Sequence, residues 1–152
     1  MAERLFLEDL VAGQRFVSAS FTVSAAEIVA FATQYDPQPF HLGHDEAADS
    51  LFGGLVASGW HTAAMTMRKV VESVPTAGGI IGTGGELRWP RPTRPGDVLH
   101  VETEVLEVTP SRSRPERGMV TVRCVTLNQD GEAVQTFVPK LVVPRRPAPV
   151  DG

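Results

Sequence analysis

The chain has a single cysteine, Cys124. An intrachain disulfide and a multi-cysteine zinc site are both excluded. Cys124 sits mid-strand near Val122 and Val125 and reads as a buried, inert thiol. A chain without disulfides suits a reducing compartment. No apolar run approaches the roughly 20 residues that a membrane span needs. Residues 1–5 lack the basic-then-apolar layout of a signal peptide. The expected location is therefore cytoplasmic, with no membrane partner. A formal net charge of −4 leaves no electrostatic footprint for nucleic acid. The glycine-rich run over residues 78–85 matches neither a dinucleotide fingerprint nor a phosphate-binding loop. There is no Gly-x-Ser-x-Gly, which argues against a hydrolase built on a nucleophile elbow.

What is present describes one ordinary globular domain. Its 152 residues are 42% apolar and 21% charged, and a chain of that size can bury a core without metal or disulfide support. The single domain is expected over residues 1–143. Residues 144–152 form a proline-rich tail expected to be flexible.

Charge is uneven: residues 1–60 carry two arginines against eight acids, and residues 61–152 carry twelve basic residues against ten acids. Arginine supplies 12 of the 14 basic residues. It is the better residue for forked contacts to phosphate, although a bias in base composition gives the same count.

Residues 14–23 have strand composition. Ser24-Ala25-Ala26-Glu27 is a capping box, and Ile28, Phe31 and Tyr35 then recur at helical spacing. Pro37 biases Asp36 out of the helical region, so this helix ends there. Residues 36–58 read as mostly irregular, with a short helix over 45–51. Trp60, Ala63, Ala64, Met67, Val70, Val71 and Val74 then form one apolar stripe, which predicts a helix over 59–74 with a buried face.

Strands follow at 85–89, 97–108, 119–127 and 132–143, with a hairpin turn at Asn128-Gln129-Asp130-Gly131. Pro139 cannot donate to a ladder and points to an edge or a bulge. The result is an α+β domain, an antiparallel sheet of about five strands wrapped around one long central helix.

The densest polar segment is Tyr35-Asp36-Pro37-Gln38-Pro39-Phe40-His41. Two prolines stiffen the chain between a carboxylate and an imidazole, which can make a general acid/base pair around one water. The same residues can equally be a helix end, a turn and a cap. Ala57-Ser58-Gly59-Trp60 opens the long helix, where unpaired N–H groups and partial positive charge can hold an oxyanion. An ordinary N-cap is the plainer reading there. His41, His44, Asp45 and Asp49 lack a firm helical frame, so no metal is expected. His61 reads as a flanking residue beside the stripe.

Asp36-Pro37-Gln38-Pro39-Phe40-His41, then acidic His44-Asp45-Glu46, then Gly54-Leu55-Val56-Ala57-Ser58-Gly59-Trp60 before a long helix, resembles the MaoC-like dehydratase family. These proteins share the hot-dog fold with (R)-specific enoyl-CoA hydratases. Leu87-Arg88-Trp89 leading to Pro95-Gly96-Asp97 is similar to the family's strand and Pro-Gly-Asp turn. The resemblance spans roughly residues 5–143.

It implies reversible hydration of a 2-enoyl-CoA to a 3-hydroxyacyl-CoA, with no cofactor beyond the coenzyme A thioester that is itself the substrate. Asp36 matches the carboxylate that activates water, His41 its partner, and Gly59 the glycine whose N–H holds the thioester oxygen. Gln38 replaces the family's Asn, Ser58 stands where many members have His, and both are expected beside the substrate. Met67 falls at a hydratase Ser. A homodimer or higher homo-oligomer is implied, because a second copy completes the cleft. Arg88, Arg91, Arg94, Arg112, Arg114 and Arg117 are either contacts for coenzyme A phosphates or solvated loop residues. Two alternatives use the same fold: an acyl-CoA thioesterase, and a non-catalytic acyl-CoA-binding subunit of a hetero-oligomer.

Overall fold

The computed structural model describes residues 3–149. After a 3-10 turn at Leu7–Asp9, four α-helices and six strands run in the order β1 (Arg15–Val17), β2 (Phe21–Thr22), α1 (Ala25–Tyr35), α2 (Pro39–Leu42), α3 (His44–Ala48), α4 (Gly59–Ser73), β3 (Gly82–Arg88), β4 (Val98–Pro110), β5 (Arg117–Leu127) and β6 (Ala133–Pro144). The strands form one antiparallel sheet in the order β1-β4-β5-β6-β3, with β2 pairing β4 as well. This is the expected α+β hot-dog arrangement, with six strands rather than five. The sixth arises because residues 14–23 split: Ser18 breaks the ladder, and its hydroxyl accepts from the Val101 N–H.

The capping box at Ser24 forms, with the Glu27 N–H donating to Ser24 Oγ, and α1 ends at Asp36 as expected. Residues 36–58 are more helical than expected. Pro39 occupies the first helical position of α2, where its missing N–H costs nothing, and this places His41 on a helical turn.

Pro139 lies in β6, an interior strand, so the edge reading is wrong and the bulge reading holds. The ladder between β3 and β6 is irregular between Gly82 and Gly85, and Gly85 pairs with Pro139. A Cβ on Gly85 would come within 2.6 Å of the Pro139 Cα, so only glycine passes there. At the other end of the sheet, the hairpin turn carries Gly131 at φ +73°. Past β6, the Arg145 N–H donates to the Glu116 carbonyl and Arg146 pairs with Asp9, which tethers the first residues of the expected tail. Residues 150–152 lie outside the described residues.

The largest departure concerns α4. The expected apolar stripe is only partly the buried face: Val70 and Val74 are buried, but Trp60, Met67 and Val71 are 61%, 39% and 51% exposed. The buried line is Thr62, Thr66 and Val70, with Val74 just beyond the helix. Threonine can occupy a core when its hydroxyl finds a partner. The Thr62 hydroxyl donates to Thr93 Oγ1 at 3.0 Å, and the Thr66 and Thr126 hydroxyls meet at 2.6 Å. Val70 and Val74 pack with Val101, Val105, Val120 and Val122 of β4 and β5.

The Thr66–Thr126 pair stitches α4 to the sheet and sets a double-mutant test. Thr66→Val or Thr126→Val alone strands a buried hydroxyl and should cost about 1–3 kcal/mol. The double variant should cost less than the sum, because no polar group is then left unpaired. Urea denaturation of the four proteins measures both quantities.

Candidate active site

Asp36 stands at the C-terminal end of α1, where its N–H donates to the Ala32 carbonyl. Its side chain projects toward the start of α4, and both carboxylate oxygens are held. Gln38 Nε2 donates to Oδ1 at 2.6 Å, and Ser58 Oγ donates to Oδ2 at 2.6 Å. His41 Nε2 faces the same Oδ2 at 3.4 Å. The Ser58 hydroxyl bond, aided by that of Gln38, holds the Asp36 carboxyl below the ordinary carboxylate range despite the opposing effect of burial.

His41 is buried, and its Nδ1 lies 2.7 Å from the Val56 carbonyl oxygen. A carbonyl only accepts, so Nδ1 carries the proton. With the ring neutral, Nε2 then presents a lone pair toward the same space as Asp36 Oδ2. Two acceptors that converge at this distance suit a water molecule donating to both.

Ser58 is the N-cap of α4: its Oγ accepts the Trp60 N–H at 3.2 Å while donating to Asp36. The residue is fully buried, with its hydroxyl between the Asp36 carboxylate and the Trp60 N–H. Gly59 follows as the first helical residue. Its N–H has no protein partner among the described residues, as expected for the first turn of a helix. A Cβ at this position would come within 2.6 Å of the Trp89 ring, so glycine is demanded by packing as well as by access to the N–H.

Asp36, Gln38, His41 and Gly59 line one cavity of about 430 Å³. Four of the five expected site residues thus meet around one space, and the fifth supports them from behind. Sequence reasoning missed Trp89, whose ring closes over Gly59, and Val56, whose carbonyl fixes the His41 tautomer. An aromatic residue at the end of a strand, just before Pro90, was the available signal for Trp89.

Arg91 is the one Lys or Arg lining this cavity, and it pairs with Glu132 at 3.1 Å. Arg88 pairs with Glu86, and Arg94 donates to the Phe52 carbonyl. Among the described residues, no three His, Cys, Asp or Glu side chains gather as a metal site. His61 lies apart, stacked on Phe31 at 4.7 Å, and burial lowers its pKa.

A second cavity of about 420 Å³ adjoins the first across Trp60, which lines both. It lies between α4 and the sheet, and the stripe residues Ala63 and Met67 line it with Phe137 and Leu141 of β6. The apolar stripe read from the sequence therefore faces a cavity. Cys124 also borders this space, and burial pushes its thiol pKa up.

Residues 10–127 match the MaoC-like domain family. The chain belongs to that family. A MaoC-like dehydratase from Rhodospirillum rubrum has the same structure with a TM-score of 0.93 and 63% identity, over 95% of this chain and 99% of that one. A 3-hydroxybutyryl-CoA dehydratase of Methylorubrum extorquens is 31% identical over 141 residues, 90% of this chain and 85% of that protein. The (R)-hydratase PhaJ1 of Pseudomonas aeruginosa has a TM-score of 0.75 at 26% identity, over 98% of this MaoC-like chain and 95% of the other. No helix of the described residues is long and apolar enough to cross a membrane.

The Ser58 bond gives a titration test. Asp36 should titrate below about 3.9, the usual aspartate value, and Ser58→Ala should move it upward, as read by carboxyl-carbon NMR. A depressed folded pKa stabilises the protein above the unfolded value, and that gain is lost as pH falls through the folded one. The stability difference between wild type and Ser58→Ala should therefore shrink below about pH 4, down to the part due to helix capping.

Proposed function

We propose that this MaoC-like protein is an enoyl-CoA hydratase/3-hydroxyacyl-CoA dehydratase. The observation that carries the reading is the convergence of Asp36 Oδ2 and His41 Nε2, 3.4 Å apart, in the cavity that the Gly59 N–H end of α4 also borders. An acid/base pair and an oxyanion donor are the two elements that addition of water to an α,β-unsaturated thioester requires.

In this reading the thioester oxygen accepts from the Gly59 N–H, and a water sits over Asp36 and His41. The water oxygen bonds to the β-carbon while one of the pair takes its proton. The π electrons shift through the α-carbon to the thioester oxygen, where the helix N-terminus stabilises the enolate. The pair then returns a proton to the α-carbon on the same face, so the reverse reaction is dehydration. Gln38 and Ser58 keep Asp36 ionised and aimed, and no cofactor takes part. The acyl chain passes Trp60 into the apolar cavity, while Arg91 at the other cavity is placed for the phosphates of coenzyme A.

Asp36→Asn and His41→Ala should each lower hydration of crotonyl-CoA on the order of 100-fold or more, with the circular dichroism spectrum unchanged. Loss of the conjugated thioester absorbance is the measurement, and near-normal turnover by either variant would overturn the reading. Release of free thiol in its place would identify a thioesterase.

The assembly we propose contains at least two copies. Support comes from Trp60, Met67 and Val71, exposed on α4, and from β3, which ends the sheet with an unpaired edge. Light scattering should give at least twice the 16.4 kDa mass of the chain, and a monomer at micromolar concentration would exclude the assembly.

A further inference from the structure

The apolar cavity contains one polar feature that its walls leave unexplained. Gln135, on β6, is 1% exposed and lines the cavity together with Phe137 and Leu141 on the same face of the strand. Its Oε1 accepts the Trp89 indole N–H at 3.0 Å. An indole N–H only donates, so this bond fixes the carbonyl end of the amide toward Trp89 and leaves Nε2 on the other side. Among the described residues Nε2 donates to nothing, while Thr66 is engaged with Thr126 and Cys124 Sγ with the Thr103 hydroxyl. This amide end is not sealed off, since among the described residues the fully buried unpaired side-chain atom is His61 Nδ1, so Nε2 keeps access to the cavity and can meet a ligand oxygen there. Here Trp89, which also closes over Gly59, holds that donor in place.

We propose that Gln135 Nε2 recognises a neutral oxygen on the substrate's acyl chain, so that the preferred thioester carries a keto or similar acceptor group beyond the reacting double bond. This rests on the hydratase reading of the neighbouring cavity. A carboxylate is disfavoured, because no Lys, Arg or His lines the apolar cavity and one amide does not repay desolvation of a charge. A plain hydrocarbon chain fits the space but leaves Nε2 unpaired. Sites built to bond a polar group discriminate against analogues lacking it far more strongly than apolar pockets discriminate by size.

The test is calorimetric binding to the full-length protein. The probes are octanoyl-CoA, a series of octanoyl-CoA esters each carrying one keto group at a different chain position, and octanedioyl-CoA. All are saturated, so binding is read without turnover. At least one keto ester should bind on the order of tenfold or more tighter than octanoyl-CoA, and octanedioyl-CoA should bind more weakly than that keto ester. Gln135→Met should erase the difference while still binding octanoyl-CoA; should Gln135→Met fail to fold, Gln135→Asn serves the same comparison.

The proposal is overturned if no keto ester gains over octanoyl-CoA in the wild type, if the gain survives in the variant, or if octanedioyl-CoA binds tightest. Hydration of crotonyl-CoA is assayed separately. Normal hydration without a keto gain removes this inference alone, a Gln135-dependent gain without hydration removes the hydratase reading alone, and no binding of any ester removes both.

Discussion

The hydroxyl of Ser58 is the point through which the site is assembled. It donates to Asp36 at the end of α1 and accepts from the Trp60 N–H at the start of α4. Two helix termini that the sequence separates by 22 residues are thereby locked in register. Because a hydroxyl can donate and accept at once, the same atom completes a helix cap and keeps a carboxylate charged. With that carboxylate fixed, His41 needs only the Val56 carbonyl to settle its tautomer. These bonds orient the polar groups, while Phe40, Phe52, Trp60, Trp89 and Val134 supply packed apolar walls around them.

How far this could be read from the chain differs between elements. The α1 capping box, the Asp36 boundary and the Asn128–Gly131 turn are local signals, satisfied by residues within a few positions, and they were legible. The α+β arrangement of sheet and helix was legible from periodicity, whereas the hot-dog class and the meeting of Asp36, Gln38, His41 and Gly59 were legible only through the resemblance to MaoC-like dehydratases. The buried face of α4 was legible only at Val70 and Val74. Hydropathy ranks Thr62 and Thr66 below Met67 and Val71, and only partners distant in sequence, Thr93 and Thr126, make threonine a core residue here. The bond from Ser58 to Asp36 was not legible for the same reason: the position of Ser58 at the start of α4 was evident, but this contact is tertiary. Trp89 offered only its place before Pro90 and Gln135 no local signal, since their meaning lies in a contact across 46 residues.

The two cavities divide the chemistry of the MaoC-like domain by polarity. One is lined by ionisable groups and the free end of a helix, and the other by the apolar stripe of α4 and one face of β6. Trp60 belongs to both and meets Trp89 edge to face at 5.2 Å. The partition is thus made of large rigid rings, held by Gly59 on one side and by Gln135 on the other. Charge and hydrocarbon are kept apart within a few ångströms, which preserves the low polarity of one space without drying the other.

The absence of a side chain at position 59 has a consequence for the divergence of this lineage. The indole of Trp89 occupies the volume that a Cβ on residue 59 would fill. Position 59 can therefore enlarge only after position 89 has shrunk, and a change at 89 in turn strips Gln135 of its indole donor. Three positions spread over α4, the end of β3 and β6 form one heritable unit. In alignments of close relatives they should change together or stay together, and attempts to reshape the pocket one residue at a time will meet this coupling before they meet the catalytic pair.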